Sequence, residues 1–272
     1  MSSNDNRAIG VFDSGLGGLT VIAALLKELP EENFVYLGDT ARVPYGGKSV
    51  RSLLEFARQD AEFLLSQNVK LIVAACNTVS SVAMPALQEV CDSVPHLGVI
   101  DSGVNAVISS GAKSVLVTGT RTTVSSGAYA NALQKAAPGI HVESVACPLL
   151  VPLAEEGITA GPIVEHVLDL YFAPYRKTPP DAVLLGCTHY PLFKSAIESY
   201  FSRETLVIDS GSACAAAVKK ILKTNDLSAD SHQTGSQVYY ATDYPAGFHI
   251  LAERFLGRSI ERVSTVVLSS EN

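Results

Sequence analysis

Hydrophobic residues in this chain follow two alternating rhythms. Short runs such as "AIGVFD" (Ala8–Asp13), "NFVYLGD" (Asn33–Asp39) and "VKLIVAAC" (Val69–Cys76) are apolar at nearly every position. Runs of that length, rich in β-branched residues, read as strands covered on both faces. Longer segments between them place apolar residues three and four apart. In "SVRSLLEFARQDAEFLLSQN" the stripe is Leu53, Leu54, Ala57, Ala61, Leu64 and Leu65, which share one helical face. "GLTVIAALLKELP" and "SSVAMPALQEVC" read as helices in the same way. Repeated strand–helix units predict a parallel sheet with right-handed crossovers, an α/β fold.

The order then restarts. "KSVLVTGTRTT" leads to "SGAYANALQKAAP", "IHVESVACP" follows, and "DAVLLGC" leads to "LFKSAIESYF". Each half closes on a near-identical phrase, "LGVIDSG" at Leu97–Gly103 and "LVIDSG" at Leu206–Gly211. Asp101 follows Cys76 by 25 residues, and Asp209 follows Cys187 by 22. The pattern predicts two similar α/β halves arisen by duplication, then a further strand in "SQVYYATDYP" and a short helix around "GFHILAERFLG". Ligands of open α/β sheets bind outside the carboxyl ends of the strands, so a cleft between the halves is the expected site.

Composition narrows the function. Of 272 residues 47% are hydrophobic and 17% charged, which suits a chain with an ample core. A net charge of −7 without any basic run disfavours nucleic acid as a partner. The apolar runs are strand-length, too short to span a bilayer. "MSSNDNRAIG" carries no apolar signal core, so the expected location is the cytoplasm. Five cysteines without a CxxC pair fit reduced thiols, and the six histidines show no metal-binding spacing.

Two of those thiols stand apart. "VAACNTVSS" and "LLGCTHYPL" each end a buried strand at a cysteine, Cys76 and Cys187, followed by small polar residues. Cys91, Cys147 and Cys214 sit inside apolar runs and read as packing residues. Residues that open a helix after Cys76 and Cys187 would favour thiolate, and such a group can take or give a proton. In "VFDSGLGGLT" the dinucleotide fingerprint fails, because Thr20 stands where its third glycine belongs. Gly17 and Gly18 instead suggest a tight strand-to-helix turn presenting Asp13 and Ser14, although an aspartate there could equally cap the helix. "YGGKS" ends like a phosphate loop, but Arg42 occupies the position of that motif's first glycine. His189, two residues past Cys187, is a candidate tuner of that thiol.

In order along the chain, "DSGLGG", "PYG", "ACNT" and "GCTHYP" resemble the glutamate racemases of the aspartate/glutamate racemase superfamily, and the resemblance runs from Ile9 to about Phe255. It implies two α/β domains with the active site between them, residues 1–97 plus 210–272 and residues 98–209. It implies Cys76 and Cys187 as the two acid/base residues on opposite faces of glutamate, acting without pyridoxal phosphate, metal or other cofactor. Asp13, His189 and Glu155 (in "VPLAEEG", beside Glu156) would assist them. Asp13, Ser14, Tyr45, Gly46, Asn77, Thr78, Thr188 and His189 would bind substrate. The resemblance further implies D-glutamate supplied to peptidoglycan synthesis, and a homodimer. The alternatives are an aspartate racemase, whose branch resembles "GCTE" where this chain has "GCTH", a cysteine hydrolase using Cys187 and His189, and a two-lobed amino-acid-binding protein.

Overall fold

The computed structural model describes residues 4–201, 204–244, 248–260 and 262–268. Within them the strands are β1 (Ile9–Asp13), β2 (Phe34–Gly38), β3 (Leu71–Ala74), β4 (His96–Gly98), β5 (Ser114–Gly119), β6 (His141–Ala146), β7 (Ala182–Gly186), β8 (Leu206–Asp209), β9 (Gln237–Ala241) and β10 (Val263–Thr265). They form two sheets, in the orders β10-β9-β2-β1-β3-β4 and β6-β5-β7-β8, with every neighbouring pair parallel. The α/β class and the two-sheet organisation read from the hydrophobic rhythm are therefore what the chain adopts. Residues 245–247, which the expected last strand and helix both touch, lie outside the described residues.

The rhythm has its physical cause in burial. β1, β2, β3 and β7 are buried along their whole length, whereas β6, at a sheet edge, has only exposed and half-buried positions. Helix Val50–Ser66 lays Leu53, Ala57, Ala61 and Leu64 on Phe12, Val35 and Ile72 of the first sheet. Each fully buried leucine there contributes about 2 kcal/mol. On the other face, helix Leu19–Glu28 belongs to one apolar core that continues from Ile9 and Val11 into Val183, Leu185 and Phe172 of the second half. The halves are thus joined by a shared core. No helix among the described residues is long and apolar enough to cross a membrane.

Three local expectations change. "SSVAMPALQEVC" is not one helix but two, Asn77–Val82 and Met84–Val90, broken at Ala83. Pro85, in the first turn of the second helix, has no N–H for the preceding turn and cannot continue it. The twin "VIDSG" phrases also fold out of step. In the second half β8 runs through Asp209, which caps helix Ser210–Thr224 by accepting from the amides of Gly211 (2.9 Å) and Ser212 (3.2 Å). In the first half the strand stops at Gly98 and Asp101 lies exposed in the first turn of helix Val99–Ser110. The cause is Ser80, whose hydroxyl accepts from the Val99 amide at 3.2 Å and would lie 2.6 Å from any Cβ on Gly98. Helices Leu150–Glu155 and Pro162–Phe172 had no counterpart in the strand-and-helix reading.

Candidate active site

Both cysteines sit where their strands end. Cys187 follows β7 directly, and Cys76 lies two residues beyond β3, where it caps helix Asn77–Val82 and its carbonyl accepts from the Ser80 amide at 2.9 Å. After Cys187 comes a short 3-10 turn, Tyr190–Phe193, so an α-helix opens immediately after only one of the two thiols. A single cavity of about 300 Å³ lies between the carboxyl ends of the two sheets and is lined by both. Its wall also carries Ser14, Tyr45, Gly46, Asn77, Thr78, Glu155, Thr188 and His189. Of the residues expected to act in catalysis or bind substrate only Asp13 is off the wall, and it is fully buried.

The glycine-rich turn explains how the second half reaches the first. A Cβ on Gly17 would fall 2.3 Å from Thr188 Oγ1 and 2.6 Å from His189 Nδ1, and one on Gly18 would fall 2.4 Å from Asp13 Cβ. Neither glycine has a positive φ; Gly18 sits at −60°. The pair is required by close approach, not by turn conformation. Thr20 fastens the contact by donating its hydroxyl to the Thr188 carbonyl (2.9 Å). Asp13 does not cap the following helix, whose N-cap is Gly18; it accepts from the Gly15 amide (3.1 Å) and lies 3.4 Å from the Thr188 hydroxyl.

The two thiols differ in charge environment. Burial, and after it the Asp13 carboxylate, pushes Cys76 up to about 12, partly offset by the Val79 amide and the Ser14 hydroxyl. Beside Cys187 stands His189, with Nδ1 3.9 Å from the sulfur and Nε2 3.2 Å from Glu155 Oε1. Burial by itself would hold the ring neutral, but Cys187, Glu155 and Asp13 outweigh it and raise His189 to about 10. Phe255 packs edge-on against the imidazole at 5.1 Å. Burial raises Asp13 too, opposed by the His189 charge and by the Gly18 and Gly15 amides. Of the adjacent pair Glu155 and Glu156, Glu155 is the one on the cavity wall and against His189.

The "PYG" loop is anchored differently from what its sequence implies. Tyr45 lines the cavity, yet its hydroxyl points away, donating to Asp39 and lying 3.3 Å from Asp60 Oδ2. Arg42 binds Asp39, Gln59 and Asp60 and stacks over Phe56 at 4.2 Å. Gly46 meets the second half, where Thr122 donates to its carbonyl at 3.0 Å and a Cβ would lie 2.8 Å from Thr120 Cβ. Sequence reasoning missed Thr120 and Arg121, both on the cavity wall. Their signal was position: "GTRTT" follows the carboxyl end of β5, as "CNT" and "CTH" follow β3 and β7. Thr78, Thr120 and Thr123 join their hydroxyls at 3.0 Å steps across the two halves.

The arrangement offers two buried thiols, one near a carboxylate and one near an imidazolium, among hydroxyl and amide donors. That is equipment for moving protons at a carbon held between them. Comparison with known proteins agrees with that reading. The profile of the Asp/Glu/Hydantoin racemase family matches residues 39–218. A glutamate racemase from Syntrophus aciditrophicus is 44% identical over 98% of this chain and 99% of its own length. One from Geobacter metallireducens is 42% identical over 97% and 98%. The crystal structure of the Francisella tularensis glutamate racemase in complex with D-glutamate superposes with a TM-score of 0.91 at 39% identity, covering 97% of this chain and 98% of that one. This chain is an isomerase of the Asp/Glu/Hydantoin racemase family, and within it belongs with the glutamate racemases.

Proposed function

We propose that the enzyme interconverts L- and D-glutamate by two-base proton exchange at Cα. One thiolate takes the α-proton, forming S–H as the Cα–H bond breaks. The other thiol delivers its proton to the opposite face, so the centre inverts and the two sulfurs exchange protonation states. The observation that carries the reading is that Cys76 and Cys187, from different halves, line the same small cavity. The protonated His189 ring donates toward Cys187, the arrangement in which that sulfur serves as base, while Cys76 keeps its proton and serves as acid. A second turnover from the other enantiomer reverses the roles.

An α-proton beside a carboxylate is weakly acidic, so the developing carbanion needs fixed donors in a site closed to water. Ser14, Asn77, Thr78, Thr188 and the loop carrying Tyr45 and Gly46 supply them, and the D-glutamate bound by the Francisella relative supports the choice of substrate. Asp13 acts from behind the wall, sustaining the proton on Cys76 and the charge on His189. We further assign residues 1–97 with 210–272 to one domain and 98–209 to the other. The enzyme would work in the cytoplasm as a homodimer, its D-glutamate feeding peptidoglycan synthesis.

Circular dichroism tests the reaction directly. L-Glutamate should lose its optical signal, L-aspartate should keep it, and deuterium from solvent should enter Cα. Racemisation of aspartate with glutamate left unchanged overturns the assignment.

A further inference from the structure

Asn77 has two chemically distinct ends, and only one suits an anionic substrate. Rotated by half a turn, a side-chain amide presents an acceptor where it had presented two donors. Asn77 opens helix Asn77–Val82, is buried, and lies on the cavity wall. Its oxygen accepts from the Tyr129 hydroxyl at 2.6 Å, a separation typical of O–H···O and short for N–H···O. Ser210 lies 3.4 Å from the same oxygen but makes its closer bond, 3.0 Å, to the Leu185 carbonyl. The Asn77 Nδ2 group, also buried, has no hydrogen-bond partner among the described residues. Its two donors are therefore unspent within the protein, on a side chain of the cavity wall.

Tyr129 itself does not line the cavity, and its ring cannot drift. It belongs to helix Ala128–Ala136 of the second half and is 2% exposed. Two glycines make room for it. A Cβ on Gly103 would lie 3.1 Å from its Cε1, and one on Gly186, next to Cys187, would lie 3.0 Å from its Cε2.

We infer that Tyr129 is a positioning residue, which reaches across from the second half to hold the Asn77 amide with its nitrogen toward the substrate carboxylate. The inference rests on the proposal that Asn77 is a substrate ligand. Without the tyrosine hydroxyl the amide populates both orientations, and the fraction with oxygen inward cannot bind a carboxylate. If the competent fraction falls to about a tenth, KM rises about tenfold while kcat changes little.

The test is a double-mutant cycle on glutamate racemisation with Tyr129→Phe, Asn77→Ala and their combination, each variant's thermal transition recorded alongside. Tyr129→Phe should raise KM about tenfold in the native background and have no further effect once Asn77 is alanine, because residues acting through one another are not additive. An unchanged KM in Tyr129→Phe, or factors that multiply in the double variant, overturns the inference while leaving Asn77 as a ligand. If Asn77→Ala alone leaves KM unchanged, the ligand assignment fails and the inference goes with it. Gly103→Ala gives a second arm that keeps the hydroxyl but crowds the ring. It should raise KM in the native background and not in Asn77→Ala, and a KM unchanged in both, or raised equally in both, counts against the inference.

Discussion

The carboxyl ends of β3 and β7 present the same thiol in opposite company. Around Cys76 the charge with the largest effect is the Asp13 carboxylate, and the donors, Ser14 and the Val79 amide, are neutral. Around Cys187 stands an imidazole held protonated and backed by Glu155. Two corresponding strand ends carry the same sulfur in surroundings of opposite sign. On the proposed mechanism this polarisation is useful, since an acid and a base are needed at once and two identical surroundings would supply neither reliably.

The largest break in the comparison is removal of either sulfur. Cys76→Ser and Cys187→Ser should each lower kcat by about 10³-fold, within the range for a lost acid or base. A tenth of the native rate retained by either would sink the two-thiol scheme. His189→Asn takes away the cation that distinguishes the second site, and kcat/KM should fall about 100-fold. That fall must be equal from L- and D-glutamate, because mirror-image substrates have an equilibrium constant of one. The asymmetry should therefore show only in kcat and KM taken separately for each enantiomer, and parallel changes in both would erase the distinction drawn between the sites.

Stability against pH sharpens the same contrast. His189 has a folded pKa of about 10 against about 6.5 in the unfolded chain. Its contribution is present in full below the unfolded value and is lost as pH rises through the folded one. Melting temperatures of the native protein should therefore fall more steeply between those two values than those of His189→Asn, and parallel curves would show that the ring is not charged in the folded state. The smallest effect belongs to a thiol with neither kind of company. Cys91, buried in the core beneath the first sheet, should give up about 1 kcal/mol of stability on replacement by alanine, with racemisation unchanged.

Much of this was legible in the order of residues. Alternating strand and helix rhythms located the sheets, and polar residues directly after two buried strands located the cavity wall, because a strand's carboxyl end is where an α/β sheet leaves room. What stayed hidden depends on pairs distant in sequence. Nothing in the letters around Tyr45 shows that Asp39 and Asp60, the latter on a separate helix, draw its hydroxyl away from the cavity. Asp60 itself reads as the polar face of a helix, yet it is fully buried, and burial followed by the nearby Asp39 raises its pKa well above the ordinary carboxylate value. Gly17 looked like a turn residue, and its true constraint is a threonine far along the chain. The twin "VIDSG" phrases misled in the other direction: identical letters adopt different registers once Ser80 claims the Val99 amide.

The first sheet is closed by strands that the ribosome makes last. β2 has β1 on one side, and its other side stays open until Gln237–Ala241 arrives to pair with it. During synthesis the whole second half emerges while an apolar strand, Phe34–Gly38, still shows an unpaired edge, the kind of edge that recruits other chains. A nascent chain arrested before β9 would therefore be an aggregation hazard even with both sulfur-bearing strands already made.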